Sequence, residues 1–213
     1  MTELILALDV RDRERGLELA AICAPHIDAI KIGYPLVLSA GMGIFHDLAP
    51  LGLPLIADFK VADIPSTNRS ICSAVFEAGA GAIICHGFTG ADAVGACVEA
   101  AHEHGGMCFV VAEMSHPGAV TFFHGGVAEQ IASLAAELGA DGIIAPATRP
   151  DRVQTLRRII GDKKIYAPGI GTQGGDAARI AALVEGIIVG RTIYADENPS
   201  RAAAGIAAMI RTR

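Results

Sequence analysis

Eight short apolar runs, each followed by a segment with helical spacing, constrain this chain more than any single motif. They are LILALD (Leu4 to Asp9), DAIKIG (Asp28 to Gly33), PLIADFK (Pro54 to Lys60), AGAIICH (Ala80 to His86), MCFVVAEM (Met107 to Met114), ADGIIAP (Ala140 to Pro146), KIYAPG (Lys164 to Gly169) and EGIIVG (Glu185 to Gly190). Most lack the alternation of a half-exposed strand, so both faces must be covered, as in a parallel sheet wrapped by helices. The intervening segments carry helix ends. Asp12 is placed to cap a helix over Arg13 to Ala24, Ser66 or Thr67 one ending before Gly79, and Thr89 one stopping at Gly105. Further helices are expected from Gly126 to Leu138, after Thr148 to Ile160, and from Asn198 and Pro199 onward. Pro35 to Leu48 suits only a short helix, because Gly41 and Gly43 interrupt it.

Eight such units in 213 residues predict an α/β fold, a (β/α)8 TIM barrel forming a single domain over 1–213. An open doubly wound sheet is the competing arrangement. No strand here is followed by GxGxxG opening a helix, and eight parallel strands crowd a doubly wound domain of this length. GAGAII, GADGII and VEGIIVG repeat one helix-to-strand entry, in agreement with stacked strand-helix units.

Composition narrows the partners. A net charge of -6 gives no general attraction to nucleic acid or anionic membrane, and 5% aromatics with no Trp leave no stacking platforms for single strands. No apolar stretch reaches the roughly 18 residues of a membrane span, and MTELILALD lacks the features of a signal peptide. Cys23, Cys72, Cys85, Cys97 and Cys108 are odd in number, contain no CxxC and sit in apolar surroundings, which points to buried thiols and a cytoplasmic location.

In such a barrel, ligands bind where the strands end. Strand one ends in Asp9, strand two carries Lys31, and strand three ends in Asp58 and Lys60, with Asp63 just beyond. Asp58 and Lys60 are two apart and share a side of an extended strand, with Lys31 on the neighbouring strand. A Lys–Asp–Lys set keeps each charge beside an opposite one. Residue by residue it fits a structural ion-pair network as well as a reaction centre. Together, inside otherwise apolar runs, the three fit a reaction in which a carboxylate orients charge and an ammonium delivers a proton.

A second cluster follows strands seven and eight. APGIGTQGGD (Ala167 to Asp176) is dense in glycine, and Gly190 with Arg191 closes the last strand, where backbone N–H groups and a guanidinium can hold phosphate. Gly171 to Gly175 taken alone fits a surface loop equally well. His102 and His104 form an HxH on a solvent-facing helix without a third ligand, so no metal is expected there. Ser115 is placed to bind ligand, and His116 to cap its loop.

LALD, IKIGYPLV, DFKVADIPSTN (Asp58 to Asn68), MSHPGA, PGIGTQGGD and VGRTIY together resemble the orotidine 5'-monophosphate decarboxylases, the short archaeal type in particular, over nearly the whole chain. The resemblance implies loss of CO2 from a pyrimidine nucleotide without cofactor or metal. It makes Lys60 the proton donor to C6, Asp58 the carboxylate beside the substrate's own, and Lys31 the bridge to a ribose hydroxyl, with Asp9 near the same sugar. By the same resemblance Asp63, Ile64 and Thr67 reach across a homodimer into the other subunit's site. Ser115 reads the pyrimidine edge, Gln173, Gly190 and Arg191 hold phosphate, and Pro168 is a further substrate-binding position. Sister enzymes acting on phosphorylated keto-sugar acids, and hexulose-phosphate synthases, share the DxKxxD element but use Mg2+ and carry a glutamate where this chain has Lys31. An ammonium cannot ligate a metal. A catalytically silent barrel that binds nucleotides or serves as a subunit interface is the remaining alternative, and a binding module has little use for a buried ammonium beside a carboxylate.

Overall fold

The computed structural model describes residues 1–170 and 177–211. Eight parallel strands pair strictly in chain order and close, the last against the first: β1 (Glu3–Ala7), β2 (Ala29–Gly33), β3 (Leu55–Val61), β4 (Ala82–His86), β5 (Met107–Val111), β6 (Gly142–Ile144), β7 (Lys164–Pro168) and β8 (Gly186–Val189). The predicted TIM barrel is therefore the observed fold. Each apolar run overlaps its strand; β1 begins one residue before its run, at Glu3, β3 ends one residue beyond, at Val61, and β6 is shortened most, to three residues.

The absence of alternation has the expected cause. Side chains of one parity, including Ile5, Ala29, Ile56, Ile84, Phe109, Tyr166 and Ile188, fill the barrel interior. Those of the other parity, including Leu4, Leu6, Ile30, Ile32, Ala57, Ile83 and Val110, pack under the helices. Both sets are apolar because both faces are buried. All five cysteines lie in this buried material.

The helix at Arg13–Cys23 is capped as expected, Asp12 accepting from the Arg15 N–H at 2.7 Å. Pro35 to Leu48 resolves into two short helices, Tyr34–Ala40 and Ile44–Leu48. Two expected caps fail. The helix at Pro65–Glu77 takes neither Ser66 nor Thr67 as its cap; Pro65, its φ already helical, occupies the first turn, and Ile64 precedes it without a side-chain bond. Thr89 does not start the next helix either. Gly90, at φ 94°, redirects the chain so that the helix runs Ala91–Glu103, and the Thr89 hydroxyl donates to the His86 carbonyl. No described helix is long and apolar enough to cross a membrane.

Candidate active site

Three strands bring the charged residues together. Continuing the inward parity past the apolar interior places Asp9 beyond β1, Lys31 on β2, and Asp58 and Lys60 on β3 at the same end of the barrel. Lys31 Nζ lies 2.7 Å from one Asp58 oxygen and Lys60 Nζ 2.7 Å from the other, while Asp9 stands 3.5 Å from Lys31. Gly33 permits the last approach, since a Cβ there would sit 2.7 Å from the Asp9 carboxylate.

Lys31 and Asp58 are buried, at 5% and 8% exposure, and each is ionised because of the other. Burial alone would push the Lys31 ammonium down, but the Asp58 and Asp9 carboxylates outweigh it and the net shift is upward. Burial would raise the Asp58 carboxyl, but Lys31 and then Lys60 outweigh it and hold it below the ordinary carboxylate range.

Lys60 departs from regular strand geometry. It has φ 45°, the one non-glycine residue with positive φ among those described, and the register between β3 and β4 shifts between Ala57 and Val61. Such a conformation in a non-glycine residue costs on the order of 1–3 kcal/mol and persists only where its surroundings impose it.

A cavity of about 360 Å³ opens above these groups, lined by Asp9, Lys31, Asp58 and Lys60 on one side and by Ser115, His116, Pro168, Gly190, Arg191 and Tyr194 on the other. Ile84, Val111, Ile144 and Ile188 form its apolar floor. Charged groups on one wall, an apolar base and an exposed guanidinium at the rim suit a small anionic ligand with an apolar part. Expected phosphate residues Gly190 and Arg191 thus share a cavity with the Lys–Asp–Lys set. Gln173, with most of the glycine loop, lies outside the described residues.

Asp63, Ile64 and Thr67 do not line this chain's cavity. Asp63 is exposed, and Ile64 is 63% exposed. His116 precedes a turn at Pro117–Ala119 without capping it, its side chain lying exposed at the cavity instead. His102 is exposed as expected and pairs with Asp141 at 3.1 Å. Among the described residues no three His, Cys, Asp or Glu side chains converge as metal ligands.

Several residues at this end went unrecognised in the sequence. Asn68 is fully buried: its Oδ1 accepts from the Asp63 N–H and its Nδ2 donates to the Ala93 carbonyl, both at 2.9 Å, which fixes the turn carrying Asp63. Its spacing with Cys72, Val75 and Phe76 on one helix face was the available signal. Glu113, also fully buried, lies between Arg149 and Arg152. Arg149 also donates to the Met114 carbonyl, and the Thr148 hydroxyl to that of Ser115, so this cluster supports the loop at the cavity's edge. His86 ends β4 with its Nδ1 buried and unpartnered; burial, and then the Lys60 charge, push its pKa down to about 4.

The fold and site define an eightfold barrel of the enzyme class, whose mouth presents paired ammonium groups and a carboxylate to one cavity. A family model described as "Orotidine 5'-phosphate decarboxylase / HUMPS family" matches residues 2–206. The chain belongs to that family. It is 56% identical to an orotidine 5'-phosphate decarboxylase of Methanosarcina barkeri over 97% of this chain and 94% of the relative. With the enzyme of that name from Methanosarcina acetivorans the identity is 57%, over 97% and 93%. The crystal structure of orotidine 5'-monophosphate decarboxylase from Methanocaldococcus jannaschii, complexed with the inhibitor BMP, superposes with a TM-score of 0.96 at 41% identity, covering the whole of both chains. The 213 residues fit the short archaeal form of the family.

Proposed function

We infer that the protein converts orotidine 5'-monophosphate to uridine 5'-monophosphate and CO2, in the last step of de novo pyrimidine nucleotide synthesis, and does so without metal or organic cofactor. One observation carries the inference: a buried carboxylate, Asp58, held at 2.7 Å by both Lys31 and Lys60, faces a cavity with an arginine at its rim.

The chemistry follows from that placement. The bond between C6 and the substrate carboxylate breaks, its electron pair stays at C6, and CO2 leaves. The Lys60 ammonium stabilises the developing charge and passes a proton to C6; solvent then reprotonates the amine. Asp58 stands beside the substrate carboxylate and keeps Lys60 oriented. Lys31 bridges Asp58 and a ribose hydroxyl, with Asp9 near the same sugar. Ser115 meets the pyrimidine edge, Pro168 borders it, and Arg191, Gly190 and Gln173 hold the phosphate, whose remote binding energy supports the reacting end. Asp63, Ile64 and Thr67 complete the site of a second copy of the chain. The exposure of Ile64 at 63%, Phe88 at 60% and Leu38 at 81% favours such an association, since each is a large apolar side chain open to solvent in the single chain.

Lys31 separates this function from that of the Mg2+-dependent sisters, because an ammonium paired to Asp58 blocks the carboxylate a metal would need. Decarboxylation of orotidine 5'-monophosphate followed by absorbance in excess EDTA, with product mass confirmed, tests the proposal. Conversion is expected. No conversion, together with Mg2+-dependent turnover of a phosphorylated keto-sugar acid, would overturn it.

A further inference from the structure

The backbone that aims Lys60 is held by a contact outside the cavity. The strand ladder that would ordinarily fix the chain is out of register between Ala57 and Val61, and Lys60 sits within that irregularity at φ 45°. Tyr34, the first residue after β2, reaches across to it. Its hydroxyl donates to the Phe59 carbonyl at 2.5 Å, the peptide immediately before Lys60. The Tyr34 ring stacks on the Phe59 ring, with centroids 5.5 Å apart and planes at 14°, and Phe59 packs edge-on against Phe45 at 6.4 Å. Hydrogen bond and ring stack thus clamp one peptide from the same side. Tyr34 is not among the residues that line the cavity; it lies instead on the outer surface beside Arg11, Pro35 and Leu38.

We propose that Tyr34 is a positioning residue for Lys60, its hydroxyl holding the strained peptide that points the ammonium at Asp58 and into the cavity. This rests on Lys60 being the proton donor. Burial, and then the Asp58 charge, raise the Tyr34 phenol, so it remains a donor throughout the neutral range. Without the hydroxyl the Phe59 carbonyl loses its anchor, the backbone relaxes toward ordinary φ, and Lys60 moves off the reacting carbon while the phosphate and ribose contacts stay intact.

Tyr34→Phe keeps the ring and removes the bond. Two rates are read: decarboxylation, and exchange of the C6 hydrogen of uridine 5'-monophosphate with D2O, the reverse of the Lys60 step. Roughly 10- to 100-fold losses in kcat and in exchange together are expected, with KM changed by less than about threefold, measured where variant and wild type sediment alike. Tyr34→Leu, lacking the ring as well, loses at least as much. Wild-type rates in either folded variant overturn the proposal, as does a defect confined to KM, or slowed decarboxylation with exchange unchanged. A wild-type protein that neither decarboxylates nor exchanges refutes the role of Lys60 itself, before any Tyr34 variant is measured.

Discussion

Asp58 and Glu113 are both buried carboxylates held between two cations near the mouth ends of their strands, yet they do different work. Asp58 takes Lys31 and Lys60 at 2.7 Å each; Glu113 takes Arg149 at 2.7 Å and Arg152 at 2.8 Å, with His124 at 3.3 Å. Around Glu113 the guanidinium forks lead on to further acceptors, Arg152 to Glu129 and Arg149 to the Met114 carbonyl. Its charges are consumed in holding a loop. Around Asp58 the cations are point charges, one of them on strained backbone, and all three groups line a cavity. A carboxylate between two cations is therefore no mark of chemistry by itself. Strain and access to a ligand separate the two clusters.

The contrast predicts where substitutions act. Lys60→Ala should cost the most, lowering kcat by about 10²- to 10⁴-fold or more, with a far smaller change in KM in steady-state assays. A small kcat effect would remove Lys60 from the reaction. Glu113→Ala leaves two partly buried guanidinium groups short of a partner, though each keeps another acceptor, and should cost about 1–3 kcal/mol in urea unfolding, with kcat of the folded protein within about tenfold of wild type. If it lost as much activity as Lys60→Ala, the distinction between the clusters would fail.

Acid should expose a smaller difference. The His86 pKa falls from an unfolded value near 6.5 to about 4, so the folded state binds fewer protons between those values. The associated stability is present above pH about 6.5 and is lost as pH falls toward about 4. Urea midpoints across that window should decline less steeply in His86→Leu than in wild type; parallel slopes would show that His86 titrates normally. Asp58 adds its own loss only at lower pH, since its carboxyl is held below the ordinary range and its contribution disappears as pH falls through that lowered value.

Much of the fold was legible because it depends on patterns of short range. Uninterrupted apolar runs marked the strands, and the charges at their ends, Asp9, Lys31, Asp58 and Lys60, marked the mouth. Asp58 and Lys60 do share a side, as the period of two requires, but nothing in DFK announces φ 45° at Lys60. The residues that pack against the preceding Phe59, Tyr34 and Phe45, are distant in sequence. Glu113 and Arg149 were hidden for a similar reason: they lie 36 positions apart, and the pairing of β5 with β6 makes them neighbours. Ser66 and Thr89 misled because good capping residues stood beside Pro65 and Gly90, whose backbone preferences set the helix starts.

The pairing of β8 with β1 has a consequence for how the protein comes into being. Asp9 follows the first strand and Arg191 the last, yet they line one cavity. A chain emerging from the ribosome can form β1 to β7 in order, each against a neighbour already made, but holds only part of the site until residues near 190 are released. Nascent chains should thus be unable to retain the nucleotide, and a truncation before Gly186 should leave β1 and β7 as open edges, prone to pair with other chains.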